Sequence, residues 1–195
     1  MRKTILFILD FWKNLGPKTK RILTIVIFLI ISIMMTIFGI LAPISPQLID
    51  DLGKGLEDTQ TIISNLPAVQ QVSFIFGNNF MICLMGFVPI IGPIFESYVL
   101  YSTGVTITAY VSYTNIQINP ILVFASLLIL PFTWLEFLAY SLAISESFWL
   151  TWRLIKRKGK KEIKNSCLII SICAAILLVA AIIEVAMILY IESLG

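Results

Sequence analysis

The chain has 195 residues, 58% hydrophobic and 13% charged, with a net charge of +3 and no histidine. Soluble domains run at about 45–50% apolar and 25% charged, so this composition excludes an ordinary soluble enzyme and leaves room for one membrane domain. The positive charge does not point to nucleic acid: all 14 Lys and Arg except Lys54 fall in two clusters that flank long apolar runs, the pattern of topogenic charge.

The first cluster (Arg2, Lys3, Lys13, Lys18, Lys20, Arg21) defines a basic arm over residues 1–20. Within Met1–Leu15 the apolar Ile5, Leu6, Ile8, Leu9 and Trp12 stand beside basic residues, which predicts an interfacial helix on the cytoplasmic leaflet. The arm is not read as a cleavable signal, because the apolar run from Ile22 is too long for an h-region and no small-residue cleavage site follows. Residues 21–195 then form a single membrane domain.

Crossing a bilayer takes roughly 20 apolar residues. The first predicted span is 22–42, closed by Pro43 and Pro46. Segment 43–73 carries Asp50, Asp51, Glu57 and Asp58 against Lys54 and reads as external; Leu48, Ile49, Leu52 and Leu56 give it an amphipathic helix too polar to span. The second span, 74–95, holds Gly77, Gly86, Pro89, Gly92 and Pro93, so it is expected to be kinked or broken near Pro89 and Pro93, with its freed backbone groups finding partners in protein or water. The third span is 97–113, with Glu96 in the turn before it. The run 120–152 exceeds one upright crossing at about 1.5 Å per residue; Pro131 predicts a kink or break near Leu130. Trp149 and Trp152 beside Arg153 look like an interfacial anchor. A basic cytoplasmic hinge, 153–165, precedes the last span, 166–190. With both basic clusters inside and the acidic segment outside, five spans and an internal N-terminus satisfy parity; one crossing plus re-entrant hairpins has the same parity. The expected fold class is an all-α polytopic bundle.

Glu96, Glu136, Glu146 and Glu184 fall inside or at the edges of these runs. An acidic residue at a helix centre costs roughly 2.5–3.5 kcal/mol on insertion scales, which directs it to the bundle interior. Glu146 is expected near the cytoplasmic interface, with Arg153 two turns on. At about 100° per residue, Glu136, Ala139, Ala143, Glu146 and Ser147 share one helix face. Ala139, Ala143 and Ser147 form a small-residue strip, and Ala180 and Ala181 form another before Glu184; such strips let helices approach closely. No Lys or Arg lies deep in a span, so the expected partners of the carboxyls are Asn78, Asn79, hydroxyls, backbone, water or one another. Three roles stay open for them: helix glue, an ion, proton or substrate path, and docking of a partner membrane protein.

Catalytic and metal motifs are missing. Cys83, Cys167 and Cys173 lie in apolar spans without Cys-x-x-Cys spacing and read as small hydrophobes. A serine-based intramembrane protease lacks its histidine base, and every aspartate (10, 50, 51, 58) lies outside the spans, so an aspartyl type is excluded. No cofactor or metal is expected.

Three short patterns carry a family resemblance. Asn78-Asn79 opens a Gly/Pro-rich span; Leu130-Pro131 is followed by Leu135-Glu136 and Ala139; and Ala180-Ala181-Ile182-Ile183-Glu184 closes the last span. In this order, over about residues 70–190, they resemble the stage II sporulation protein M family of membrane proteins. That family commonly carries Pro-His-Gly before the glutamate; here Phe132 and Thr133 stand there, so a role needing a titrating imidazole does not carry over. The resemblance implies a membrane scaffold, since the best-known family role is to anchor cell-wall hydrolases in a sporulation complex. It does not imply sporulation.

The resulting expectation is a non-enzymatic, multi-pass scaffold or membrane-organising subunit of the cell membrane. Its partners would be the lipid bilayer and other membrane or envelope proteins, with a homo-oligomer also open and no nucleic acid. The alternative is a transporter, permease subunit or channel that uses the glutamates.

Overall fold

A computed structural model describes residues 14–157 and 159–193, the side chains of 159–162 excepted. The expected interfacial helix Met1–Leu15 therefore lies outside the described residues, apart from its last two positions. The described chain is all-helical: α1 (Pro17–Ile40), α2 (Pro46–Ser64), α3 (Ala68–Gly86), α4 (Ile91–Tyr113), α5 (Pro120–Leu127), α6 (Pro131–Ile155) and α7 (Gly159–Glu192).

Proline punctuates the chain. It stands at the first turn of α1, α2, α5 and α6, where its fixed φ suits a helix start and its missing N–H costs nothing. Ser45 caps α2 by accepting from the Leu48 N–H, and Asn119 caps α5 by accepting from the Ile121 N–H. Leu130 is held extended before Pro131, and α5 and α6 meet at 87°, so the run 120–152 is broken where proline forbids continuation.

Five of the described helices, α1, α3, α4, α6 and α7, run back and forth between two ends of a bundle. At one end lie the start of α1, the turn between α3 and α4, the end of α6 and the start of α7. This is shown by contacts of Arg21 and Ser166 with Glu146, and of Ser147 and Thr151 with the α3–α4 turn. At the other end lie α2 and α5. There Tyr113 donates to Glu57 Oε2, and the Thr108 hydroxyl donates to the Ile40 carbonyl at the close of α1. Among the described residues, the basic Lys18, Lys20, Arg21, Arg153, Lys156 and Arg157 flank the first end; the acidic residues of α2 lie at the second.

The most extensive packing joins α6 to α7 and α1 to α4. Small residues make both interfaces possible. Gly39 faces the Tyr101 carbonyl and Gly104 faces the Thr36 carbonyl, so a Cβ at either would strike the opposing backbone. Ala139, Ala143, Ser147, Ala180 and Ala181 are fully buried.

Three helices, α1, α3 and the 163–192 part of α7, are long and apolar enough to cross a membrane, and α5 with α6 adds a fourth if that bent pair counts as one span. The helices differ from the expected spans in several places. The second expected span, 74–95, takes the broken of its two expected forms, with shifted bounds: α3 starts earlier, at Ala68, and stops at Gly86, and residues 91–95 open α4. The cause is the turn 87–90, where Ile90 takes a left-handed φ of 70°. Glu96 thus lies inside a helix and is fully buried, instead of sitting in a turn. The expected hinge 153–165 is largely helical, with turn residues only at 156–157 among those described.

Candidate functional site

The turn 87–90 shows how the bundle deals with freed backbone groups. A β-branched residue at positive φ is strained, and here α6 holds it from the side. The Thr151 hydroxyl accepts from the Ile90 N–H at 3.1 Å, and the Ser147 hydroxyl donates to the Val88 carbonyl at 2.7 Å. Ser147 is therefore a bonding residue as well as a small one.

Glu146 is 2% exposed and lies in a polar knot linking three helices. Arg21 of α1 donates to Oε2 at 2.8 Å, and Ser166 of α7 donates to Oε1 at 3.0 Å. Thr24 extends the knot by accepting from Ser145 and from the Trp149 indole. The Arg21 guanidinium also lies 5.7 Å from the Trp149 ring centre. This corrects one expectation: the carboxyl has a basic partner, Arg21, at the edge of the first span.

Glu96 sits where α3 and α4 pack together, with its carboxyl against Gly86. Neither of its oxygens has a hydrogen-bond partner among the described residues. The absence of a Cβ at Gly86 is what admits the carboxyl so close to the α3 backbone.

Nearer the other end, α2 to α7 enclose a cavity of about 540 Å3 that contains Asn78, Asn79, Glu136 and Glu184. Asn79 of α3 donates to Glu136 Oε1 at 2.6 Å, and Asn78 lies behind it with a longer contact of 3.4 Å to Asn79 Oδ1. Glu184 comes in from α7 and lines the same cavity as Glu136. The amphipathic α2 roofs the cavity with Leu56, Thr59 and Ile63. A second cavity of about 350 Å3 shares Glu184 and continues to Gln60, Gln71 and Glu192.

The expected polar residues thus fall into three places: Glu136, Glu184 and the asparagines at the large cavity, Glu146 at the ionic knot, and Glu96 alone against α3. The sequence reads the thiols as small hydrophobes, which fits the buried Cys83 and Cys173 and not the exposed Cys167, and it does not show what the buried pair shares. Cys83 of α3 and Cys173 of α7 both point at the Ala139 carbonyl, at 3.8 and 3.6 Å, marking a junction of α3, α6 and α7. Both are fully buried. Among the described residues no cluster of three or more Cys, Asp or Glu has metal-binding geometry.

The family profile described as "SpoIIM: Stage II sporulation protein M" matches residues 24–187, which is most of the chain and takes in every helix except the start of α1 and the tail of α7. No curated protein and no solved structure gives a significant match. The chain belongs to the Stage II sporulation protein M family and is a membrane protein.

Proposed function

We propose that this member of the Stage II sporulation protein M family is a non-enzymatic scaffold, a multi-pass subunit of the cell membrane that gathers other membrane or envelope proteins around its bundle. The observation that carries this reading is how the intramembrane polar groups are spent. Glu146, Glu136, Ser147 and Thr151 each bond to a different helix or to the α3–α4 turn. Groups used in this way fix a bundle in one shape, which suits a platform for partners.

The same reading takes the five long helices as five crossings with the basic end inside. Support comes from the gathering of the described basic residues (Lys18, Lys20, Arg21, Arg153, Lys156 and Arg157) at one end of the bundle and of the acidic α2 at the other. The lipid bilayer covers the exposed apolar positions, and a second copy of the chain is one of the partners to be tested.

Purification of a tagged chain from native membranes, after cross-linking, tests the proposal. Envelope or membrane proteins should co-purify in fixed ratio, and liposomes carrying the pure chain should show no pH- or sodium-driven flux above protein-free vesicles. A flux abolished by Glu184→Gln would replace the scaffold with a transporter. That second reading is favoured by one observation, the cavity that presents Glu136 and Glu184 together.

A further inference from the structure

The lining of the large cavity has a chemical character that the scaffold reading does not use and that says more than its two carboxyl groups alone. Glu136 and Glu184 bring two carboxyl groups to one space, and among the described residues no Lys or Arg lines it. Four phenylalanines line the same space: Phe74, Phe124, Phe132 and Phe137. Phe124 and Phe137 meet edge to face, with centroids 6.3 Å apart, and both are buried. Volume and character match small-molecule sites, which span about 300–1,000 Å3 and are mostly apolar with a few convergent polar groups.

Each feature narrows the occupant. Carboxylates in a membrane interior favour positive charge and reject anions. Aromatic faces attract ammonium groups through their quadrupoles and supply apolar contact. A space of about 540 Å3 is far larger than a bare ion, since a water molecule takes about 30 Å3. Among the described residues no cationic side chain lines this cavity.

We propose that the cavity under α2 binds an organic ammonium ion with an apolar body, its charge received by Glu136 and Glu184 and its body by the phenylalanine wall. Asn79, bonded to Glu136 Oε1, orients that carboxyl and leaves its other oxygen for the ligand. The second cavity, which shares Glu184 and is flanked by Glu192, gives an acidic approach from the α2 end. A lipid amine headgroup and a soluble amine share this chemistry. The inference goes beyond scaffolding and does not depend on it, because a bundle can bind partners whether or not this cavity is filled.

The test uses the full chain in phosphatidylglycerol nanodiscs, with empty discs subtracted. Binding of 2-phenylethylammonium is measured against 2-phenylethanol, a neutral molecule of nearly the same shape. The wild-type chain should bind the ammonium saturably, and the alcohol at least about thirtyfold more weakly, the loss typical of an unpaired buried charge. Glu136→Gln/Glu184→Gln should lose the ammonium to the same degree, and Phe132→Ile should weaken it. Discs that include phosphatidylethanolamine identify the source: a weakened apparent affinity assigns the site to the lipid headgroup, an unchanged one to a soluble amine. Equal binding of ammonium and alcohol, full binding by the double variant, or no saturable ammonium binding would each overturn the proposal. The wild-type comparison decides the matter even if the double variant fails to fold, and none of these outcomes bears on partner capture.

Discussion

Replacing Arg21 with Met should destabilise the bundle far more than its place at the edge of the first span suggests. The Arg21 side chain is 28% exposed, whereas Glu146, its partner, is 2% exposed. Removing one member of a buried pair leaves the other charge uncompensated, at a cost of about 3–5 kcal/mol. Ser166 still donates to the other carboxyl oxygen and Arg21 is partly open to its surroundings, so the lower end, about 3 kcal/mol, applies here. For a chain of this size each kcal/mol moves Tm by roughly 2–4 °C, which gives a fall of about 6–12 °C. Thermal unfolding in detergent, followed by tryptophan fluorescence and circular dichroism, measures it. The decisive variant is Arg21→Met/Glu146→Leu, which removes both charges. It should recover much of the loss, because an apolar pair of similar volume often equals a buried ion pair. If the losses of the two single variants add in the double variant to within about 0.5 kcal/mol, the two residues are not coupled and the knot is not an energetic unit.

Other outcomes follow from the same geometry. Ala143→Leu, at a fully buried position between helices, should lower stability by about 1–3 kcal/mol through overpacking, read in the same melt; an unchanged Tm would mean that the strip does not pack. Glu136→Gln should fold with little loss, because its amide oxygen can still accept from Asn79 and an interhelical bond of this kind averages about 0.6 kcal/mol. Thr151→Val should loosen the α3–α4 turn by removing the acceptor of the Ile90 N–H, seen as faster hydrogen exchange confined to residues 86–92. Single cysteines at exposed Lys54 and Lys164, in a background without the native thiols, should react with membrane-impermeant reagents from opposite sides; labelling of both from one side would refute the five-crossing topology.

How much of this was legible depended on how local the cause was. Pro131 ends one helix and starts another because its ring forbids the helical conformation at Leu130, a constraint between neighbours, and the break lies where the sequence put it. Pro89 and Pro93 carried the same signal, but the size of the disruption did not follow from them. A proline can kink a helix or end it. Here the ending depends on Thr151 and Ser147, about sixty positions away, whose hydroxyls support a strained Ile90. Glu96 was assigned to a turn for this reason: without that distant support, the run 74–95 reads as one interrupted span.

The polar partners of the carboxyls show the same limit. Asn79 was among the expected partners and does bond Glu136, across 57 positions, because few polar groups lie at that depth and both needed a bond. Arg21 was set aside as topogenic charge because it stands where the basic arm meets the apolar run. Hydropathy places a residue by the run it borders, but a long side chain can reach inward along its helix as easily as outward. At the start of α1 the inward direction leads to Glu146, with Trp149 offering a ring on the way. A charge at the end of a span can thus mark the cytoplasmic side and also anchor a buried carboxyl. Only the packing of α1 on α6 distinguishes the two roles.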